Sequence, residues 1–277
     1  MSTPPPDPAP APHTDLDTRP CVITGGGSGI GRAIALLLAR QGRPVALVAL
    51  PRDQADTETV VADVHRAGGR ALAIAADITH EADVVRAFDE AQTALGPPSG
   101  LVNSAGVLLR SRVADFSRDQ LLWLLGVNVL GTMMCCREAA RRMSLATGGA
   151  GGAIVNLSSM AATIGGRPGG SAYAASKAAV DCFTTGFARE VAREGIRVNV
   201  IRPGLVTTPM TAEIQADALR RQQLEETIPM GRFGRPEEIA ELASWLLSSR
   251  ASLVTGAHIN AGGGGFHVGG YVSSPRA

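Results

Sequence analysis

Lysine is almost missing from this chain: of 26 basic residues, 25 are arginine, and the one lysine is Lys177. Aromatic residues make up only 4% of the 277 positions, with two tyrosines, Tyr173 and Tyr271. An excess of either charge is also lacking. With 26 basic and 25 acidic side chains the net charge is +1, which offers no basic field for nucleic acid and no acidic surface for a polycation. The four cysteines, Cys21, Cys135, Cys136 and Cys182, form no CxxC pair and have no histidine at zinc-ligand spacing. Neither a disulfide framework nor a metal site is therefore expected, and a reducing cytoplasm fits. No apolar run approaches the roughly 18 to 20 residues of a membrane span, and the N-terminus lacks the charged-then-apolar order of a signal peptide, so no membrane partner is expected.

What is present points to one large globular domain. Apolar residues reach 45% and charged residues 18%, enough to build a sizeable core. Residues 1–19 are Pro-rich and polar and read as a disordered tail, leaving 20–277 as the folded unit. From Pro20 onward short apolar runs alternate with helical patterns, with strands expected at 20–24, 45–50, 70–76, 100–103, 152–158, 197–202 and 254–260. Helices are expected near 30–42, 54–68, 81–95, 117–145, 172–194 and 236–249. This alternation predicts an α/β fold, a single doubly wound Rossmann domain whose seven-stranded, mostly parallel sheet is flanked by helices. Within 172–194 the apolar Val180, Phe183, Phe187 and Val191 recur at three- and four-residue spacing, Asp181, Arg189, Glu190 and Arg193 fall elsewhere, and Gly195 supplies a stop.

The first strand leads into Thr24-Gly25-Gly26-Gly27-Ser28-Gly29-Ile30-Gly31 and then a helix. Glycines allow a tight turn and close approach to a pyrophosphate, which the helix N-terminus would hold. A dinucleotide is expected there. About 20 residues on, where an NAD-binding chain places an acid, stand Ala49, Leu50, Pro51 and Arg52. The missing carboxylate and the nearby Arg52 favour NADP(H), with NAD(H) possible through Asp53. Asp77, beside Ile78 after the third strand, is a candidate to contact the adenine or else to cap the helix at 81–95.

The lone Lys177 lies four residues after Tyr173, and on a helix positions i and i+4 share a face. An ammonium about 4–5 Å from a phenol would stabilise the phenolate by roughly 4 kcal/mol at an effective dielectric near 20. That would draw the phenol towards neutrality, where it can exchange a proton with an alkoxide. Arginine cannot present so compact a charge. Ser159, or failing it Ser158, ends a strand and can donate to a substrate oxygen as it becomes anionic. Asn128 is a poor helix former among apolar neighbours, and a water held near Lys177 would satisfy its amide.

Together these residues resemble the short-chain dehydrogenase/reductase family, over nearly everything from Cys21 to about Gly264. The matching pieces are Thr24, Gly25, Gly29 and Gly31 (TGxxxGxG); Asn103-Ser104-Ala105-Gly106 (NNAG, departing at Ser104); Tyr173-Ala174-Ala175-Ser176-Lys177 (YxxSK); and Pro203-Gly204. The resemblance implies a catalytic tetrad of Asn128, Ser159, Tyr173 and Lys177, with Tyr173 as acid/base, Ser159 polarising a carbonyl, Lys177 binding the nicotinamide ribose and lowering the phenol pKa, and Asn128 holding a relay water. It also implies that Asn103 supports the cofactor, that Val206 and Thr208 meet its nicotinamide side, and that the protein is a homotetramer. The spacing from Ser159 to Tyr173 is one residue longer than in common members, and Asn260-Ala261-Gly262-Gly263 stands where Asp-Gly-Gly is usual. The run Thr227-Ile228-Pro229-Met230-Gly231-Arg232-Phe233-Gly234-Arg235-Pro236-Glu237-Glu238 resembles the 3-oxoacyl-(acyl-carrier-protein) reductase-like branch, and sugar, polyol and steroid dehydrogenases share it. The expected partner is a small carbonyl or alcohol. Residues 205–232 read as a lid whose few aromatics disfavour a flat, stacked substrate. A non-catalytic dinucleotide sensor or scaffold is the competing class, and an epimerase or dehydratase would need a further substrate domain. The Asn156-Leu157-Ser158 sequon falls in a buried strand and is dismissed.

Overall fold

A computed structural model describes residues 17–265. The expected tail, apart from its last three residues, and the segment 266–277 with Tyr271 lie outside the described residues. Seven strands form one parallel sheet in the order β3-β2-β1-β4-β5-β6-β7: β1 Cys21–Thr24, β2 Val45–Ala49, β3 Ala71–Ala75, β4 Gly100–Asn103, β5 Gly152–Leu157, β6 Ile196–Pro203 and β7 His258–Ala261. The doubly wound α/β expectation holds. The strand order reverses between β1 and β4, the place where such sheets open a crevice beyond the carboxyl ends of their strands.

The strands are short and mostly apolar because both faces are covered. Val22, Ala46, Ile74, Leu101, Ile154 and Val198 point into one core layer, with helices α3 Glu81–Leu95, α5 Thr132–Met143 and α7 Ser171–Val191 behind it. Ile23, Leu47, Val102, Val155 and Ile201 point into the other, beneath α1 Gly29–Arg40, α2 Gln54–Arg66 and α10 Pro236–Leu247. The period-two alternation of a strand thus divides one continuous apolar run between two cores. A third, small cluster of Ile214, Ile228 and Phe233 holds down the segment after β6.

Several boundaries differ from the sequence expectation. The seventh strand begins at His258, because 254–257 is irregular backbone with a bend at Gly256, where φ is +71°. The helix expected at 117–145 is three pieces: α4 Arg118–Leu125, a π-helical segment Gly126–Gly131, and α5. This run, Arg118–Met143, is also long and apolar enough to cross a membrane by length and composition, which corrects the expectation that no segment approaches that size. Leu124, Cys135, Cys136, Ala139 and Met143 of this run are buried in the domain, while Leu122, Trp123 and Leu130 are exposed. The segment 205–232 is not irregular throughout: it carries α8 Ala212–Ala216 and α9 Ala218–Glu225. Asp17 and Arg19, read as tail from composition, are tied to the domain, with the Arg19 guanidinium donating to the carbonyls of Ala150 and Gly151. A short helix α6, Ala161–Ile164, precedes α7.

Candidate active site

The reversal of strand order opens a cleft whose floor is the glycine turn after β1 and whose walls come from the ends of β2, β4, β5 and β6. Gly25 (φ +68°) and Gly29 (φ +51°) take left-handed backbone that the turn requires. A Cβ on Gly31 would lie 2.2 Å from the Gly25 carbonyl oxygen, and one on Gly27 would lie 2.7 Å from Thr57 Oγ1. The turn is therefore closed against its own helix and against α2.

Gly25, Ser28, Gly29 and Ile30 line the cleft, whereas Thr24 and Gly31 are buried behind it and Gly27 does not line it. Thr24 Oγ1 accepts from the Ala105 amide at 3.2 Å, which ties the turn to the end of β4. Ser28 holds the N-cap position of α1 without making a side-chain cap, and the first turn has no acidic residue. That leaves unpaired N–H groups and the positive end of a twelve-residue helix facing the cleft, a donor set suited to a pyrophosphate.

At the far rim Ala49 ends β2, and Arg52 follows, 71% exposed at its side chain and only 3.9 Å from Asp53. Asp77 and Ile78 line the same end. The Asp77 carboxylate accepts from the Thr79 amide and hydroxyl at 2.9 and 2.8 Å, while the N-cap of α3 is His80, so the capping alternative for Asp77 fails. Ala105, Gly106, Pro203 and Gly204 form the middle of the walls, and Val206 and Thr208 close the other end.

Tyr173 and Lys177 stand one turn apart on α7, both lining the cleft, with Lys177 Nζ 5.9 Å from the Tyr173 ring centroid. Lys177 is only 5% exposed, and its ammonium donates to the carbonyl of Leu157 at 2.9 Å. Burial pulls its pKa down to about 8, against which the Asp181 carboxylate pulls upward. The Tyr173 phenol departs from expectation: burial raises its pKa, with the Ser159 hydroxyl working in the opposite direction. The proximity of a cation does not bring this phenol towards neutrality, because the same burial that strengthens charge–charge attraction also penalises the phenolate.

Ser159 lines the cleft beside Tyr173, and its Oγ accepts from the Ala161 amide at 3.1 Å. Ser158 is buried with its hydroxyl donated to the carbonyl of Lys177 at 3.1 Å, so of the two serines Ser159 has the hydroxyl at the phenol. Asn128 sits in the π-helical segment, fully buried, and does not line the cleft. Its Oδ1 accepts from the Val107 amide at 2.8 Å, and its Nδ2 donates to the Val107 carbonyl and to Ser176 Oγ, both at 3.0 Å. Both amide protons are thus occupied by protein. Gly106 lies between Asn128 and Lys177, where a Cβ would meet Nζ at 3.3 Å and Asn128 Oδ1 at 3.4 Å. Asn103 is also behind the wall, donating to Asn156 Oδ1 at 2.8 Å, and its own Oδ1 is buried without a partner among the described residues. Asn156, of the dismissed sequon, is buried and bonded to Thr184.

Sequence reasoning missed Trp123 and Met210, which reach the cleft from α4 and the segment after β6 while 45% and 48% exposed. Trp123 supplies an aromatic wall from outside the expected lid, which removes the ground for disfavouring a flat ligand. Its signal was only its rarity, one of two tryptophans. Among the described residues no cluster of metal-ligating side chains occurs, and all four cysteines are free thiols.

The family model described as enoyl-(acyl carrier protein) reductase matches residues 25–267. The chain is 43% identical over 244 residues, 88% of its length and 98% of the relative's, to the uncharacterized oxidoreductase YgfF of Escherichia coli K12. It is 38% identical over 229 residues to the human 3-oxoacyl-[acyl-carrier-protein] reductase, covering 83% of this chain and 91% of that one. Among solved structures, a short-chain type dehydrogenase/reductase from Mycobacterium marinum superposes with a TM-score of 0.84 at 33% identity, over 90% of this chain and 96% of that one. A protein from Agrobacterium tumefaciens solved with bound NADP gives a TM-score of 0.81 at 32% identity, over 90% and 96%. The cleft, the Tyr173/Lys177 pair and these matches over most of the chain lead to one conclusion: the protein is an NAD(P)-dependent oxidoreductase belonging to the short-chain dehydrogenase/reductase family.

Proposed function

We propose that the chain reduces a small carbonyl compound, in the manner of a 3-oxoacyl-thioester reductase, with NADP(H) preferred over NAD(H). The observation that carries this reading is the convergence of Ser159, Tyr173 and Lys177 on one cleft that also holds the glycine turn. Bound there, the nicotinamide dinucleotide supplies or accepts the hydride. The uncapped N-terminus of α1 would hold the pyrophosphate, Arg52 would pair with a ribose phosphate, and Pro203, Gly204, Val206 and Thr208 would back the nicotinamide end.

Ser159 donates its hydroxyl to the substrate carbonyl oxygen as negative charge grows on it. Tyr173 then gives its phenolic proton to that oxygen, and the resulting phenolate is stabilised by the Lys177 ammonium. With the phenol pKa raised by burial, Tyr173 is protonated at neutral pH, the form that donates in the reductive direction. Lys177, near 8, keeps its charge there. Asn128 positions the Val107 and Ser176 ends of the site. Its role as a water holder rests on the second lone pair of Oδ1, the one atom of its amide with capacity left.

The 3-oxoacyl preference is supported by the Thr227–Glu238 run and by relatives named as such reductases. Self-association as a homotetramer belongs to the same reading, supported by Leu122 and Leu130, each 49% exposed on the run 118–143. Four free thiols fit a reducing, cytoplasmic setting. The test is oxidation of NADPH and NADH, followed by absorbance, against a panel of 3-oxoacyl thioesters, sugars and diketones. Turnover of the thioesters with NADPH preferred is expected. Activity confined to sugars would move the chain to a polyol or sugar dehydrogenase, and no turnover of any carbonyl would favour a dinucleotide sensor.

A further inference from the structure

One turn beyond Lys177, α7 carries a carboxylate that the reaction above does not use. Asp181 is 6% exposed and falls on the inner side of the helix, at i+4 from Lys177 just as Lys177 is at i+4 from Tyr173. Its Oδ2 accepts from Arg202 Nε of β6 at 2.8 Å. Arg202 in turn donates through Nη2 to His258 Nδ1 of β7 at 2.6 Å. An arginine can only donate, so Nδ1 is unprotonated and Nε2–H donates to Thr185 Oγ1 at 2.8 Å, back on α7. Burial and the Arg202 charge lower the His258 pKa, which keeps the ring neutral. The second carboxylate oxygen, Oδ1, is buried without a hydrogen-bond partner among the described residues, 4.0 Å from His258 Nδ1.

Arg202 immediately precedes Pro203 and Gly204 of the cleft wall, and the Pro203 carbonyl accepts from the Met160 amide. The carboxylate therefore bridges the helix that bears Tyr173 and Lys177 to the strand that forms the opposite wall. A surface salt bridge would contribute little, but this one is buried and leaves one carboxylate oxygen without a hydrogen bond, so its negative charge acts on neighbouring groups through a poorly screening interior. The groups facing Lys177 are the Tyr173 phenol and Asp181 on its own helix, the Leu157 carbonyl on β5, and Asn128 across Gly106. Arg202 and His258 stand beyond Asp181 on β6 and β7. Asp181 is the one anion in that set.

We propose that Asp181 is a positioning residue for Lys177: clamped by Arg202 and backed by neutral His258, its carboxylate keeps the buried ammonium charged and seated on the Leu157 carbonyl. The inference rests on the assignment of Lys177 to the reaction, and it can be tested apart from that assignment. Because the chain has a single lysine, the full-length protein labelled with 13C-lysine gives one side-chain Cε resonance, and its titration reads Lys177 directly. Loss of a nearby anion lowers the Lys177 midpoint in Asp181→Asn by about one pH unit from its wild-type position, and Asp181→Glu holds it within about 0.3 unit. If the asparagine variant does not fold, Asp181→Leu removes the charge without leaving a buried amide and serves the same reading. In turnover, kcat/KM of Asp181→Asn falls off at correspondingly lower pH while the plateau below pH 7 stays within about threefold of wild type. A merely structural role would lower Tm and leave the midpoint in place. An unchanged midpoint in a folded neutral variant overturns the inference. An inactive wild type with a shifted midpoint would instead overturn the assignment of Lys177 to catalysis and leave the electrostatic pairing intact.

Discussion

Lys177 and Leu157 are joined by a 2.9 Å hydrogen bond from an ammonium to a main-chain carbonyl, and the bond fixes the only lysine of the chain at the carboxyl end of β5. The next residue, Ser158, returns a hydroxyl to the carbonyl of Lys177. This pair of reciprocal contacts locks α7 to β5, so Tyr173, one turn earlier, is delivered to the cleft beside Ser159 by rigid elements and not by loops.

Removing the phenolic hydroxyl tests the proton-transfer role most directly. Tyr173→Phe is expected to fold normally and to lose at least about a hundredfold in kcat, the size that general acid catalysis supplies. Steady-state rates with NADPH, alongside a melting curve, check it. Retention of full activity would remove Tyr173 from the mechanism.

The depressed pKa of Lys177 has a consequence for stability with a definite sign. The folded group loses its proton near 8 and the unfolded one near 10.5, so between those values the unfolded chain binds more protons and stability rises with pH. Below 8 both states are charged and the full penalty of burying the ammonium is present. Lys177→Met should therefore melt several degrees above wild type at pH 7, with the gap closing towards pH 10, while activity is lost. Calorimetry at the two pH values decides it.

Turnover itself should decline as pH rises through about 8, where the ammonium is neutralised and the phenolate loses its stabilising charge. A pH profile of kcat/KM that stays flat to pH 10 would contradict this.

Arg52 gives the cofactor preference a single-residue test. It is mostly exposed and only loosely paired with Asp53, so its loss should not affect the fold. Arg52→Ala is expected to raise KM for NADPH by roughly tenfold, the order of one charge-assisted contact, and to leave KM for NADH within about twofold. Equal effects on both would detach Arg52 from the 2′-phosphate.

Gly31 is intolerant for a geometric reason. A methyl group there would stand 2.2 Å from the Gly25 carbonyl, so Gly31→Ala must push the turn open. Loss of about 2 kcal/mol or more in denaturant stability is expected, together with loss of dinucleotide binding in a fluorescence titration. Gly42→Ala, whose Cβ would meet nothing within 4 Å but whose φ is +83°, is the comparison that isolates backbone strain from collision.

Much of the site was legible in sequence because its chemistry is local. The glycine turn requires backbone freedom at fixed offsets, and Tyr173 and Lys177 meet because a helix brings i and i+4 together. The π-helical segment was not legible. Asn128 reads as a weak helix former, but only packing against Val107 and Ser176 shows where its amide goes. The direction of the Tyr173 shift was misread because charge pairing can be seen in spacing, whereas desolvation depends on how completely the fold buries the group.

The sequence by itself determined the alternation of strands and helices, the glycine turn after the first strand and the pairing of one phenol with one ammonium, since each follows from periodicity or from spacing along a single element. Tertiary structure alone decided that Asp181 faces inward to Arg202, that Thr24, Asn103 and Asn128 brace the cleft from behind, and that Trp123 reaches it from a distant helix. The physical reason is that burial and cross-element contact are properties of the assembled layers, and no residue carries them in its own sequence neighbourhood.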